Sequence, residues 1–176
     1  MKRKQARGDR FFAAAETLQY QPRGSLLGQE TGDSCVAACC RMLLLDYVDG
    51  ARDDHFASES YLRAALKTNR KGSIVARIPG ILRERGLPIR YAYRRDLTLD
   101  DLQESVEHFP AIALVSVKGS EDFHALIVER VDDRFVQIRD PLPEGVGSAY
   151  RLSLALFLSA WINKETGCGY AVVVLE

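Results

Sequence analysis

The chain has 176 residues, and its 24 Lys+Arg balance 24 Asp+Glu for a formal net charge of zero. That length suits one domain burying roughly 70% of the surface its unfolded chain exposes, and 47% hydrophobic with 27% charged residues excludes wholesale disorder, collagen-like repeats and a coiled coil. Zero net charge removes the basic footprint of a nucleic-acid binder, and the longest apolar stretches, Val36–Leu45 and Leu152–Ile162, are too short to span a bilayer.

From the N-terminus, residues 1–9 read as a solvated basic tail. The apolar run behind it, Phe11–Ala15, ends at Glu16 and is too short for a secretory signal. Residues 1–24 are therefore set apart as the tail plus a short helix over 10–20, and a Gly/Pro loop at 21–25 leads into one domain over 25–176. Gly32-Asp33-Ser34 marks a helix start, where Asp33 or Ser34 can cap the first backbone N–H groups. The helix runs from Cys35 to about Tyr47. Apolar on almost every face except at Arg41 and Asp46, it must be central and buried. Amphipathic helices follow over about 57–67 and 73–85, the second bent or broken at Pro79. Residues 87–93 alternate as an exposed or edge strand, and 98–108 form a short helix begun by Thr98 or Asp100.

Beyond that helix the apolar period changes to two. Strands are predicted over Pro110–Lys118, His124–Val131 and Arg134–Asp140, then a helix over Leu152–Ile162 and a last strand over Tyr170–Leu175. Helices first and antiparallel strands second predict an α+β fold: an N-terminal helical half whose central helix packs on a C-terminal antiparallel sheet.

The four cysteines, 35, 39, 40 and 168, form no Cys-x-x-Cys pair and no Cys/His cluster at zinc spacing. No metal and no cofactor is expected, and the thiols read as reduced in a cytosol-like compartment. Cys39 and Cys40 lie inside the helix as small core hydrophobes, and Cys168 is expected to be structural and buried. Cys35 differs because it stands in the first helical turn, where free N–H groups and the dipole favour an anion. That alone is too little. Lowering a thiol pKa from about 8.5 to about 4 needs on the order of 6 kcal/mol, whereas a helix terminus supplies roughly 0.3–2 kcal/mol. An imidazolium must do most of it. His55 and His108 read as surface or capping residues; His124 opens an apolar strand, a rigid base for a catalytic group.

Hairpin register adds a carboxylate. An odd loop at 131–133 with a bulge sets Leu126 against Ile138 and Val128 against Val136, making one face wholly apolar. That face then ends with His124 opposite Asp140, which can hold the imidazole and stabilise its charged form. A tetrahedral oxyanion also needs donors. The Cys35 backbone N–H is one, and Gln29, six residues upstream, can swing its side-chain amide over the same point.

Together these residues resemble the papain-like cysteine peptidases, and within them the bacteriocin-processing branch that cleaves leader peptides after a double glycine. The likeness runs over about residues 25–176. It begins with Gln29-Glu-Thr-Gly-Asp-Ser-Cys35-Val-Ala-Ala-Cys and continues through Leu99-Asp-Asp-Leu, Pro110-Ala-Ile-Ala-Leu and His124-Ala-Leu-Ile-Val. Asp140-Pro141, Leu152–Trp161 and a Val-rich final strand complete it. The resemblance implies a papain-like fold with Cys35 as nucleophile, His124 as general base and acid, Asp140 as orienting carboxylate and Gln29 as oxyanion donor. Ser34 and Val36 stand where the family usually has Asp and Gly, Val36 being expected to narrow the space beside the thiol.

The expected function is that of a cysteine peptidase. Its substrate is a leader peptide, or a host or competitor protein if the domain is an effector toxin, in which case an immunity protein is the expected partner. The expected location is the cytoplasm, or a target cell for a delivered effector; neither nucleic acid nor a membrane span is expected. Two other readings keep the same four residues: a glutamine deamidase or transglutaminase-like acyl transferase, and a catalytically silent peptide-binding domain. The completeness of the set argues against silence.

Overall fold

The computed structural model describes residues 11–116 and 122–174. The basic tail predicted over 1–9 and two predicted strand ends, Lys118 and Leu175, lie outside the described residues.

The greasy segment forms α1, Cys35–Tyr47, as the sequence predicts. Ala37, Ala38, Cys39, Cys40, Met42, Leu43 and Leu44 are fully buried, so this helix is the axis of the core. A short 3-10 turn, His55–Ala57, precedes α2, Glu59–Ala65, whose first turn is capped by the Ser58 hydroxyl. The helix predicted over 73–85 divides into a 3-10 turn, Val75–Arg77, and α3, Ile78–Glu84. Pro79 lies in the first turn of α3, where a missing N–H breaks no helix bond, so it starts the helix rather than bending it. Gly86, at φ +82°, closes α3 with the Leu87 N–H on the Leu82 carbonyl. That closure delays the next strand, β2, to Tyr91–Leu97. Thr98 and Asp101 then form a complete capping box on α4, Leu99–His108.

Three predicted strands follow as β3, Ala111–Ser116, β4, Phe123–Val131, and β5, Phe135–Asp140. Two strands were not predicted. β6, Ser148–Ser153, takes the first residues assigned to the last helix, so α5 spans only Leu154–Trp161, capped by Ser153. In place of the helix expected over 10–20, a 3-10 turn at Ala14–Glu16 leads into β1, Thr17–Gln19, which pairs with β6. With β7, Gly169–Val174, the seven strands form one antiparallel sheet in the order β1-β6-β5-β4-β3-β7-β2.

Period-two alternation divides the sheet between two cores. Ile112, Leu114, Ala125, Ile127 and Val172 face α1, α2 and α3. Ala113, Leu126, Val128, Ile138 and Tyr150 pack against α4 and α5 on the other side. The α+β assignment holds, with the helices dividing over both faces.

The β4–β5 register departs from expectation. Val128 pairs with Ile138 and Ile127 with Arg139, and the register shifts between Val128 and Arg130, before Val131 meets Val136. The pairing is thus displaced by two residues from Leu126–Ile138. An even displacement keeps every side chain on its face, so the apolar face forms as expected, but Asp140 falls across from Leu126 rather than His124. The diagonal separation is one that long side chains bridge.

Candidate active site

Cys35, the first residue of α1, meets the first residues of β4: the Ala125 N–H donates to Cys35 Sγ at 3.5 Å. The adjacent His124 Nε2 is 2.7 Å from Asp140 Oδ1, leaving Nδ1 for the thiol. Cys35, His124 and Asp140 therefore converge, although no two come from the same element. The link between imidazole and carboxylate is diagonal, which corrects the predicted face-to-face pair.

Asp140 is wholly buried and accepts four donors. Its Oδ1 takes His124 and the Leu142 N–H at 2.9 Å; its Oδ2 takes the Tyr150 hydroxyl at 2.7 Å and the Phe11 N–H at 3.2 Å. Burial alone would raise this carboxyl, but the charge and hydrogen bond of His124, with the Tyr150 and Leu142 donors, hold it below its usual range. Burial likewise opposes charge on His124, yet Asp140 and the Cys35 sulfur overcome it and push the imidazole up to about 10. For Cys35, burial raises the pKa; the hydrogen bond and charge of His124, aided by the Ala125 and Val36 N–H groups, reverse the sign and lower it. Cys39 and Cys40 are both fully buried. Burial pushes Cys39 well up, helped by the Cys35 charge, and Cys40 to about 12. One thiol out of four is thus poised beside an imidazolium. Cys168, expected to be buried, is half-buried in its loop.

The loop before α1 is built around the Thr31 carbonyl. It accepts from the Ser34 N–H, the Ser34 hydroxyl and Gln29 Nε2, at 3.1, 2.8 and 2.7 Å. Ser34 stands at the N-cap but makes no side-chain cap bond, and Asp33 is drawn away to Thr31 and Arg63. Neither predicted cap forms, because the loop claims both side chains. The leading N–H groups of α1 consequently have no capping side chain and remain available to an anion. Gln29 is buried, its Nε2 on the Thr31 carbonyl and its Oε1 without a hydrogen-bond partner. Backbone bonds from the Gln29 N–H to the Pro141 carbonyl and from the Gly145 N–H to the Gln29 carbonyl tie this loop to the one following Asp140. Val36 is buried at 5% exposure, in the same apolar cluster against which Cys35 packs.

Several participants escaped the sequence reading. Tyr150 lies on the unpredicted β6, although alternation in Ala149-Tyr150-Arg151-Leu152 was a usable signal. Glu59, 1% exposed, accepts the Glu30 N–H at 2.7 Å, and burial raises its pKa against the opposing Ser34 and Glu30 hydrogen bonds. Nothing in the spacing marked it, nor Phe11, which belongs to a segment read as tail and helix. His55 and His108 are both exposed. Among the described residues, no group of three His, Cys, Asp or Glu side chains is arranged to hold a metal, and no helix is long and apolar enough to cross a membrane.

No protein-family model and no curated protein matches the sequence. Solved structures do match. The peptidase domain of Streptococcus ComA, a bifunctional ABC transporter involved in a quorum-sensing pathway, aligns with a TM-score of 0.60 at 21% identity, over 86% of this chain and 98% of that one. A double-glycine-motif protease from an AMS/PCAT transporter, solved with its leader peptide, gives 0.58 at 15% identity, covering 90% and 96%. A C39-like peptidase from Bacillus anthracis gives 0.55 at 15% identity, covering 90% and 94%. The chain shares the papain-like fold of these C39-type peptidase domains.

Proposed function

We propose that the chain is a cysteine peptidase acting on a peptide with a double-glycine leader. The carrying observation is the meeting of Cys35 Sγ with the start of β4 while His124 is held on Asp140. In this reading the Cys35 thiolate attacks the scissile carbonyl, and the oxyanion accepts from the Cys35 N–H and the Gln29 amide. The His124 imidazolium protonates the departing amine as the C–N bond breaks, leaving a thioester and neutral imidazole. His124 then takes a proton from water as it attacks the thioester, and the carboxylate product leaves with thiolate and imidazolium restored. Asp140 keeps the ring in orientation throughout. A leader substrate is supported by the leader-bound neighbour of the same fold.

The test is incubation with synthetic leader–cargo peptides carrying Gly-Gly at the junction, read by mass spectrometry. The wild type is expected to release a new cargo N-terminus and Cys35→Ala none; equal cleavage by Cys35→Ala contradicts the reading. A one-dalton gain on glutamine would instead indicate deamidation, and binding of intact peptide a silent domain. Cleavage confined to other proteins in a proteome would point to an effector, whose cleft an immunity protein would occlude.

A further inference from the structure

The segment before β1 lies against the catalytic dyad. The Phe11 ring stacks on His124, with centroids 5.0 Å apart and planes 9° from parallel, and the Phe11 backbone N–H donates to Asp140 Oδ2. One residue thus touches both members of the dyad, by side chain and by main chain. Phe12 anchors it: buried at 6% exposure, it meets the Phe11 and Tyr150 rings edge-on. From there the chain runs through the 3-10 turn to β1, secured on β6 through Thr17–Leu152 and Leu18–Arg151.

We infer that Phe11 is a positioning residue of the active site, with the N-terminal arm acting as a strap that closes one face of His124 and completes the donor set of Asp140. The inference rests on the reading of Cys35 and His124 as a catalytic pair. Stacking covers a ring face and leaves both nitrogens in the ring plane, so neither the Cys35 side nor the Asp140 side is obstructed. An aromatic face on an imidazolium favours the charged ring and keeps water off the short His124–Asp140 bond, whose strength depends on a dry setting. The titratable groups against the imidazole are Cys35 from α1 and Asp140 from β5, with Tyr150 of β6 acting through Asp140; Phe11 itself carries no charge.

The experiment uses the full chain and follows iodoacetamide alkylation of Cys35 against pH by peptide mapping, with Cys168 as internal reference. Thermal unfolding verifies that each variant is folded. Phe11→Ala and Phe11→Leu are expected to raise the midpoint of Cys35 reactivity by about one pH unit, a loss of about tenfold in reactivity well below the wild-type midpoint, while Phe11→Tyr restores it. Leucine keeps apolar bulk without a π face, so a merely structural role predicts that Leu matches wild type. That result, or a Phe11→Ala profile superimposed on wild type, overturns the inference. If the wild-type Cys35 profile is itself no more acidic than an ordinary thiol, the peptidase reading fails instead, which keeps the two failures distinguishable.

Discussion

Arg139 and Asp140 are consecutive on β5, and both are fully buried, yet their charges serve opposite faces of the sheet. Arg139 faces α1, where it pairs with Asp46 and Glu129 at 2.8 Å each and donates to the Ser25 carbonyl at 2.6 Å. Glu129 also receives the Tyr20 hydroxyl and the Arg23 and Gly24 N–H groups. A side chain at Gly24 would collide with Asp46 and Arg139, so glycine is what lets the loop close over the network. Here the charges answer one another and hold residues 20–25 to the core. Asp140 accepts four donors, but its ionic partner His124 has a second nitrogen, directed to a thiol rather than to another fixed charge. Burial of charge is common to both clusters; what separates scaffold from chemistry is whether one partner keeps an unspent function.

Substitutions at these neighbours should separate the two roles. Asp140→Ala is expected to lower kcat by roughly 10³–10⁴-fold through loss of ring orientation, with KM little changed, as steady-state kinetics on a cleaved peptide would show. Arg139→Met should do the reverse. It leaves Asp46 and Glu129 as buried uncompensated acids and costs about 3–5 kcal/mol of stability in urea unfolding, while the folded fraction keeps near-normal kcat. If Arg139→Met abolished turnover without destabilising the protein, the division between the clusters would fail.

Gln29→Ala probes the loop before α1. With Gln29 as the proposed oxyanion donor, its loss should lower kcat by about 10²–10³-fold and leave KM nearly unaffected. Glu59→Ala is expected to be milder. The Glu30 N–H loses its buried acceptor, destabilising the protein by about 1–3 kcal/mol and loosening the loop that carries Gln29, whereas Glu59→Gln, which retains an acceptor, should recover most of the loss.

pH acts on the chemical cluster through three groups. Asp140 is depressed in the folded state, so its contribution to stability is present above the ordinary carboxylate pKa and is lost as pH falls through the folded value. His124 is raised to about 10, so its contribution is present below the ordinary histidine pKa and is lost as pH rises through about 10. Thiolate and imidazolium coexist between the lowered Cys35 value and about 10. The pH–kcat/KM profile should therefore be bell-shaped, with an acid limb below the normal thiol range and an alkaline limb far above that of free histidine. Asp140→Asn, which keeps the hydrogen bond without the charge, should draw the alkaline limb down.

What could be read from the residues followed from local chemistry and strong periodicity. The bounds of α1 were legible because a run of apolar side chains has few alternatives, and Thr98 was legible as one of two starts for α4, whereas its reciprocal partner Asp101 was not. The two faces of the hairpin were legible because side-chain parity survives an even displacement, although the register itself did not: the irregularity between Val128 and Arg130 carries no sequence mark. Ser34 and Asp33 failed as caps because the loop outbid the helix for their side chains. The strands β1 and β6 were missed because each depends on the other for an edge, a long-range condition invisible in a short window. Phe11 was missed for the same reason: an aromatic residue near a terminus gains a role only when the fold brings His124 beneath it.

Whether Cys35 and His124 share one ionised state is read from the rate of Cys35 carbamidomethylation between pH 4 and 10, in wild type and His124→Ala. A fast-reacting thiolate is expected in wild type well below the usual thiol range, and in His124→Ala a rate that rises only as an unassisted thiol ionises. Identical profiles for the two proteins would contradict it.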